Sequence, residues 1–280
     1  MTSDIRPASA SDRPELIRFL SRAALYHRHL DWRLPYEWLG TQPFILREKD
    51  AAIVSALAMP ADPPEIAWLR LLAVSDPSTL SHVWNRLFPE ACRLYPALPP
   101  EGIAAVAVNV WLEKLLRESR FHRIYDIVVL AFQGSVPVQK TSLPGLIIRP
   151  MMAEDLPGVA LVDQAAFEPI WRNSLDTIQR AFGQSAISSV AEYQGEIIGF
   201  QISTASAASA HLARLAVKPA FWHQHIGYDV IRDLLLTLHA IGIRTLTVNT
   251  QGNNLASKTL YTSIGFEYTG DQYPVYLYQF

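Results

Sequence analysis

The chain states one pattern twice. "DIRPASASD" (Asp4 to Asp12) returns as "IIRPMMAED" (Ile147 to Asp155), with Arg6 matched by Arg149 and Asp12 by Asp155, both 143 positions on. Ile53 of "AAIVSAL" falls on Ile197 of "GEIIGFQ" at 144, and Val74 of "RLLAVSDP" on Val217 of "ARLAVKP" at 143. "NVWLEKLLRESRF" and "NLASKTLYTSIGF" align Asn109 with Asn254 and Phe121 with Phe266, both at 145. Four segments that keep one offset within two residues imply a duplicated unit, so the two halves must share a fold. The tract "QGSVPVQKTSLPG" between them is rich in turn formers and reads as a linker. The predicted organisation is a domain over 1–133, a linker over 134–145 and a second domain over 146–280.

Within each copy a short strand containing "IRP" leads into a helix, as in "EDLPGVALVDQAAF". "SSVAEYQGEIIGFQIS" reads as a hairpin split at Gln194-Gly195. "SAHLARLAV" is a strand, "GYDVIRDLLLTLHAIG" an amphipathic helix closed by Gly242, and "IRTLTVNT" a further strand. "NLASKTLYTSIG" is a short helix ending at Gly265, and closing strands follow. This order predicts an α/β fold class, with an α+β mixed sheet in each copy. Of the 280 residues 50% are hydrophobic and 18% charged, enough apolar material for two cores. With a net charge of −2 and no run of Lys or Arg, nucleic acid is not expected as a partner. Cys92 is the only cysteine, which excludes an intrachain disulfide and a cysteine metal cluster. Neither a signal peptide nor the roughly 20 apolar residues of a membrane span is legible, so the expected protein is cytoplasmic, with no membrane partner.

The chemistry concentrates where "LARLAVKPAFWHQHIGYDV" turns from strand to helix. Such a turn aims several backbone N–H groups one way, and with the positive end of the helix dipole they seat a phosphate. Glycine assists by allowing close approach and positive φ, and here Gly227 is the one glycine in the loop. A plain strand–helix connection is the alternative. His223 and His225 also suggest a metal, but no third ligand stands nearby, so no metal is expected. "YHRH" (Tyr26 to His29) carries the same ambiguity and reads as a polar helix end.

"LAVKPAFWHQHIGYDVIRDLL" followed by "VNTQGNNLASKTLYTSIGF" resembles the GNAT superfamily of acetyl-CoA-dependent N-acetyltransferases. Val217, Pro219 and Gly227 match that family's pyrophosphate pattern V-x-P-x-x-[RQ]-x-x-G-x-[GA]. Asn254, Ser257, Leu260, Tyr261, Gly265 and Phe266 match its downstream pattern N-x-x-[AS]-x-x-L-Y-x-x-x-G-F. The likeness spans 146–280 and, faded, 4–132. Trp222 stands where the family usually has Arg or Gln, and His225 at the first glycine. The resemblance implies two tandem GNAT-like domains and acetyl-CoA as co-substrate. It places the diphosphate on His223, Gln224, His225, Ile226, Gly227 and Tyr228. The pantetheine would lie along Leu215, Ala216 and Val217, with Asn254 and Ser257 at its side. Asn254 is equally a good helix N-cap.

By the same resemblance Tyr261 is the general acid for the departing thiolate; the alternative is an aromatic packed on its helix. For the base the sequence offers His211 of "AHLA", similar to the "AHLH" of the serotonin N-acetyltransferase group. Strand alternation places His211 on the face of Val217, and a hydrogen-bonded core histidine is the alternative reading. Other family members carry a glutamate twelve residues before the tyrosine; Asn249 stands there, and Glu192 is the fallback base. The first copy has no glycine in "VSDPSTLSHVWNRL", and Leu116 replaces Tyr261, so it reads as a degenerate companion. The expected reaction is direct acetyl transfer to a primary amine of a small molecule or peptide, by a monomer or homodimer. The alternatives are a non-catalytic acyl-CoA-binding sensor or scaffold, or an acyltransferase with another acyl group or acceptor.

Overall fold

The computed structural model describes residues 4–138 and 143–280, so 139–142 of the expected linker lie outside the described residues. The chain divides into two compact units, Met1–Ile124 with Pro274–Phe280, and Tyr125–Tyr273. The first contains β1 (Ile5–Pro7), α1 (Arg13–Leu20), β2 (Leu25–Arg28), β3 (Phe44–Lys49), β4 (Ala52–Ala58), β5 (Ile66–Trp68), β6 (Leu71–Val74), α2 (Leu80–Cys92), β7 (Gly102–Val106) and α3 (Val110–Glu118). β8 (His122–Gln133) then runs into the second unit. That unit holds β9 (Ile147–Pro150), α4 (Leu156–Ala166), α5 (Leu175–Gln184), β10 (Ile187–Tyr193), β11 (Glu196–Ala205), β12 (Ser209–Val217), α6 (Ile226–Ala240), β13 (Thr245–Gln251) and α7 (Leu255–Ile264). β14 (Glu267–Gln279) starts there and returns its last residues to the first unit, where they pair with β7. Compact units and repeat units therefore differ: each copy ends in a long strand that crosses the unit boundary.

In the first unit β1-β3-β4-β6-β2 form a sheet, packed on one side by Trp84, Leu87 and Phe88 of α2 and on the other by Leu16 and Phe19 of α1. In the second the order is β9-β10-β11-β12-β13-β8, mixed because β12 and β13 are parallel. Ile231, Leu234, Leu235 and Leu238 of α6 pack with Tyr261 and Ile264 of α7 against Leu212, Leu246 and Val248 on one face. α4 covers the other face, close enough that a Cβ on Gly158 would sit 3.2 Å from Ile197. These are mixed α/β units, as the alternation of elements predicts. Among the described residues no helix is long and apolar enough to cross a membrane.

The duplication is visible atom by atom. Arg6 donates from Nε to Glu48 at 2.8 Å and from Nη1 and Nη2 to Asp12 at 2.9 and 2.7 Å. Arg149 donates from Nε to Glu192 at 2.8 Å and from both Nη atoms to Asp155 at 2.8 Å. A β-bulge between Arg47 and Glu48 recurs between Ala191 and Glu192, re-aiming the glutamate in each copy. Local turn chemistry follows the sequence reading. Gln194 and Gly195 both take positive φ, 52° and 80°, at the tip of the β10–β11 hairpin. Gly265 ends α7 at φ 106°. One reading is corrected: "YHRH" is not a helix end but mostly β2, whose residues pair with β6.

Candidate active site

β12 is the element on which the site is built. It pairs in parallel with β13 only from Ser209↔Thr245 to Leu212↔Val248, yet stays antiparallel to β11 as far as Val217↔Gly199. Beyond Leu212 its β13-side edge therefore has no strand partner. The Lys218 N–H donates to Ile198 O on β11 at 2.8 Å. Peptide groups alternate along a strand, so Val217 and Leu215 turn theirs to the open edge. Ala216 points its own at β11, which removes it from the expected pantetheine contacts.

A second open set of donors follows. The amides of His223, Gln224, His225, Ile226 and Gly227 donate to no acceptor among the described residues. They run into the first turn of α6, whose leading N–H groups have no intrahelical partner. Together they form an anion-binding concavity at the positive end of the helix dipole. His223 and His225 reach this geometry at φ 63° and 60°, the left-handed region that the family's glycine would enter without strain. Both imidazoles are exposed and leave the concavity open. Gly227 is required for another reason: a Cβ there would stand 3.1 Å from Leu260 of α7. Tyr228 is buried, its hydroxyl donating to Val138 O at 3.1 Å. No group of three or more metal-ligating side chains occurs among the described residues, the His223/His225 pair included.

Trp222 has a role that no pattern announced. Its indole Nε1–H donates to Val217 O at 2.7 Å, tying the loop to the open edge of β12 although the ring is 48% exposed.

His211 does not share a face with Val217, contrary to simple alternation. Arg214 pairs with Ile202 and Leu212 with Ser203, so Ala213 is an extra, bulged residue. One added residue reverses the parity of everything beyond it. Val217 lies opposite Gly199, whose Cβ position points at Val217 and Ala191 on the α6 face. His211 is on the α4 face, with Arg214. Its Nδ1 lies 2.8 Å from Thr247 Oγ1, which in turn reaches Ala210 O at 3.3 Å. A carbonyl only accepts, so the threonine proton goes to Ala210 and His211 Nδ1–H donates to the threonine oxygen. Nε2 is left with the lone pair. Burial pushes the imidazole below its usual 6.5, which favours this neutral form.

Arg214, on the same face, was not singled out by any motif. Its Nε donates to buried Asp163 of α4 at 2.7 Å and its Nη2 to Trp171 O at 2.6 Å, with the guanidinium 3.5 Å above the Phe167 ring. The pair clamps α4 to β12 where the strand leaves β13. Sequence offered no signal for it, because the partners stand 51 residues apart.

Tyr261 occupies the α6 face. It is 5% exposed, in ring contact with Phe266 at 5.5 Å, and its hydroxyl makes no hydrogen bond with a described residue. That oxygen is nonetheless absent from the sealed, partnerless polar atoms. Burial pushes the phenol well above its ordinary value, so it stays protonated. Asn254 is the N-cap of α7, its Oδ1 accepting from Ser257 N–H at 3.0 Å. Asn249 is exposed on β13. Glu192, the fallback base, is held by Arg149; the copy of that ion pair at Arg6 and Glu48 marks it as a structural feature.

Comparison with known proteins bears on this geometry. Residues 184–268 match the model of the acetyltransferase (GNAT) domain family. The chain is 30% identical over 119 residues, 42% of its length and 81% of the relative's, to a [ribosomal protein bS18]-alanine N-acetyltransferase of Haemophilus ducreyi. It is also 30% identical over 100 residues, 36% of its length, to the spore coat polysaccharide biosynthesis protein SpsD of Bacillus subtilis (strain 168). Of that relative it spans about a third, 32%. Among solved structures, a tandem GNAT protein from the clavulanic acid biosynthesis pathway superposes with a TM-score of 0.63. It covers 98% of both chains at 14% identity, a likeness of fold.

Proposed function

The chain belongs to the GNAT acetyltransferase family, and from that premise we propose that its second copy transfers an acetyl group from acetyl-CoA directly to a primary amine. The supporting observation is the run of five unpaired amides, residues 223–227, beside the open edge of β12. A diphosphate matches those donors, and Leu215 and Val217 offer a pantetheine arm the edge of a strand. When bound, acetyl-CoA supplies an activated thioester carbonyl at the opening between β12 and β13.

The rest follows from which face each side chain takes. His211 and Tyr261 lie on opposite faces of the sheet, and the strands part just past His211. An amine arriving on the α4 face passes its proton to His211 Nε2 as its nitrogen attacks the carbonyl carbon. The C–S bond breaks on the α6 face, where Tyr261 Oη donates to the sulfur as charge develops. Base and acid thus serve the incoming and departing atoms from opposite sides. The acceptor class is a small-molecule amine or a peptide N-terminus. Peptides beginning with alanine are the first to try, because relatives are named for that residue. The test is calorimetric titration with acetyl-CoA, followed by free-thiol release with a panel of amines and such peptides. No heat at millimolar acetyl-CoA defeats the seat, and binding without amine-dependent thiol release defeats the transfer.

A further inference from the structure

The first copy lacks the loop glycine and the tyrosine, yet around the break between β5 and β6 it gathers charged groups that the transfer does not use. Arg70 sits in that break, 7% exposed. Its Nη1 donates to Asp31 at 2.9 Å and its Nη2 to Asp62 O at 3.2 Å, and its guanidinium lies 4.9 Å from the centre of the Trp38 ring. Arg33 lies 4.0 Å from the same ring and 3.6 Å from Asp62. Arg28, Arg33 and Arg70 all act electrostatically on Asp31. His27 and Arg70 act likewise on His29, whose ring lies 4.7 Å from that of Trp68.

Within this cluster, buried polar atoms lack partners: Arg70 Nε, Arg28 Nε, His27 Nδ1 and His29 Nδ1. Native proteins rarely leave such atoms unsatisfied without a ligand, ion or water to explain them. Three arginines face two aspartates, and burial pushes His27 down to about 4 and His29 below its usual value, so both imidazoles are neutral. One positive charge is unbalanced, a costly state in a half-buried site.

The second copy shows the closed version of the same arrangement. Arg214 stands 144 positions after Arg70, within the range of the repeat. There the Nε is satisfied by Asp163 and Nη2 by Trp171 O. In the first copy the equivalent Nε–H is spare.

We propose that this cluster binds a small organic carboxylate, its oxygens accepting from the Nε–H groups of Arg70 and Arg28 and its carbon body resting on the indoles. A monoanion matches the single unbalanced charge. The donors left over are single N–H groups rather than whole guanidinium forks, and the aromatic surroundings favour an organic body over inorganic phosphate. Access requires a small outward shift, since the donor atoms are covered in the free protein. Arg28 and His29 are only half-buried and border the surface.

The experiment uses the full chain, titrated calorimetrically with benzoate, acetate and inorganic phosphate to roughly 10 mM, the weak end for small ligands. Benzoate binds, and Arg28→Gln weakens it about tenfold, the share of one charge-assisted hydrogen bond. Arg28 makes no side-chain hydrogen bond to lose, so R28Q retains the fold, checked by an unchanged melting temperature. Should it not, Arg28→Lys, which keeps the charge but displaces the donor, carries the same test. Affinity for acetyl-CoA is unchanged in either variant, which separates this site from the acyl-CoA seat. Absence of benzoate binding, binding indifferent to both substitutions, or binding of phosphate alone overturns the proposal.

Discussion

Tyr261→Phe removes one oxygen atom and separates two roles that the residue could fill. The hydroxyl makes no hydrogen bond with a described residue, and the ring is 5% exposed among apolar neighbours. Loss of a buried hydroxyl without a partner leaves no other group unsatisfied, so stability changes by no more than about 1 kcal/mol, in favour of the variant. A general acid contributes roughly 10²- to 10⁴-fold, or about 3–5 kcal/mol of barrier. The expected result is a fall in kcat of at least about 100-fold, at the lower end of that range, with acetyl-CoA affinity and melting temperature preserved. Tyr261→Ala would not serve, because a cavity costing about 3–5 kcal/mol confounds the rate. The assay is thiol release under saturating amine, with calorimetric affinity and thermal unfolding on the same preparations. A variant within threefold of the wild-type kcat, folded and binding acetyl-CoA, would falsify the acid role and return Tyr261 to core packing.

Three further outcomes follow from the geometry. His211→Gln keeps a side-chain donor for Thr247 but loses the base. Since burial lowers the imidazole pKa, the wild-type rate rises with pH through a midpoint below 6.5, and this limb disappears in the variant while the limb set by the amine itself remains. Trp222→Phe deletes the indole bond to Val217 O, worth about 0.5–1.5 kcal/mol, and raises the Kd for acetyl-CoA roughly two- to tenfold at constant kcat. Trp222→Gln, with an amide N–H for the same carbonyl, recovers part of it; equal affinities in all three proteins contradict the loop-holding role. His225→Gly relieves about 1 kcal/mol of left-handed strain and gives back a similar amount in chain entropy, so melting temperature barely moves. Acetyl-CoA binding is maintained or tightened because the seat is made of amides, and a large loss measured by calorimetry would show that the imidazole is the ligand.

Much of the fold was legible in short stretches of chain. The Gln194-Gly195 turn, the cap at Gly265 and the N-cap at Asn254 depend on neighbours within a few residues, so local chemistry decides them. The seat after Pro219 was legible as well, because strand, turn and helix start follow one another directly. Its departures from pattern proved tolerable: His225 adopts the conformation of the missing glycine, and Trp222 finds an acceptor of its own. The aligned ion networks of Arg6 and Arg149 give the repeat a physical basis, each arginine joining a helix start to a bulged strand.

What the amino-acid order determined by itself was the duplication, the element types and the place of the anion seat, since all three reside in periodicity and in contacts between close neighbours. The tertiary structure alone decided which way His211 faces, where β12 parts from β13, and which arginines find acceptors. Those depend on one bulged residue at Ala213 and on pairings such as Arg214 with Asp163 and His211 with Thr247. An insertion of one residue inverts a strand's faces, and partners dozens of positions apart meet only after the sheet has formed, so no local pattern carries that information.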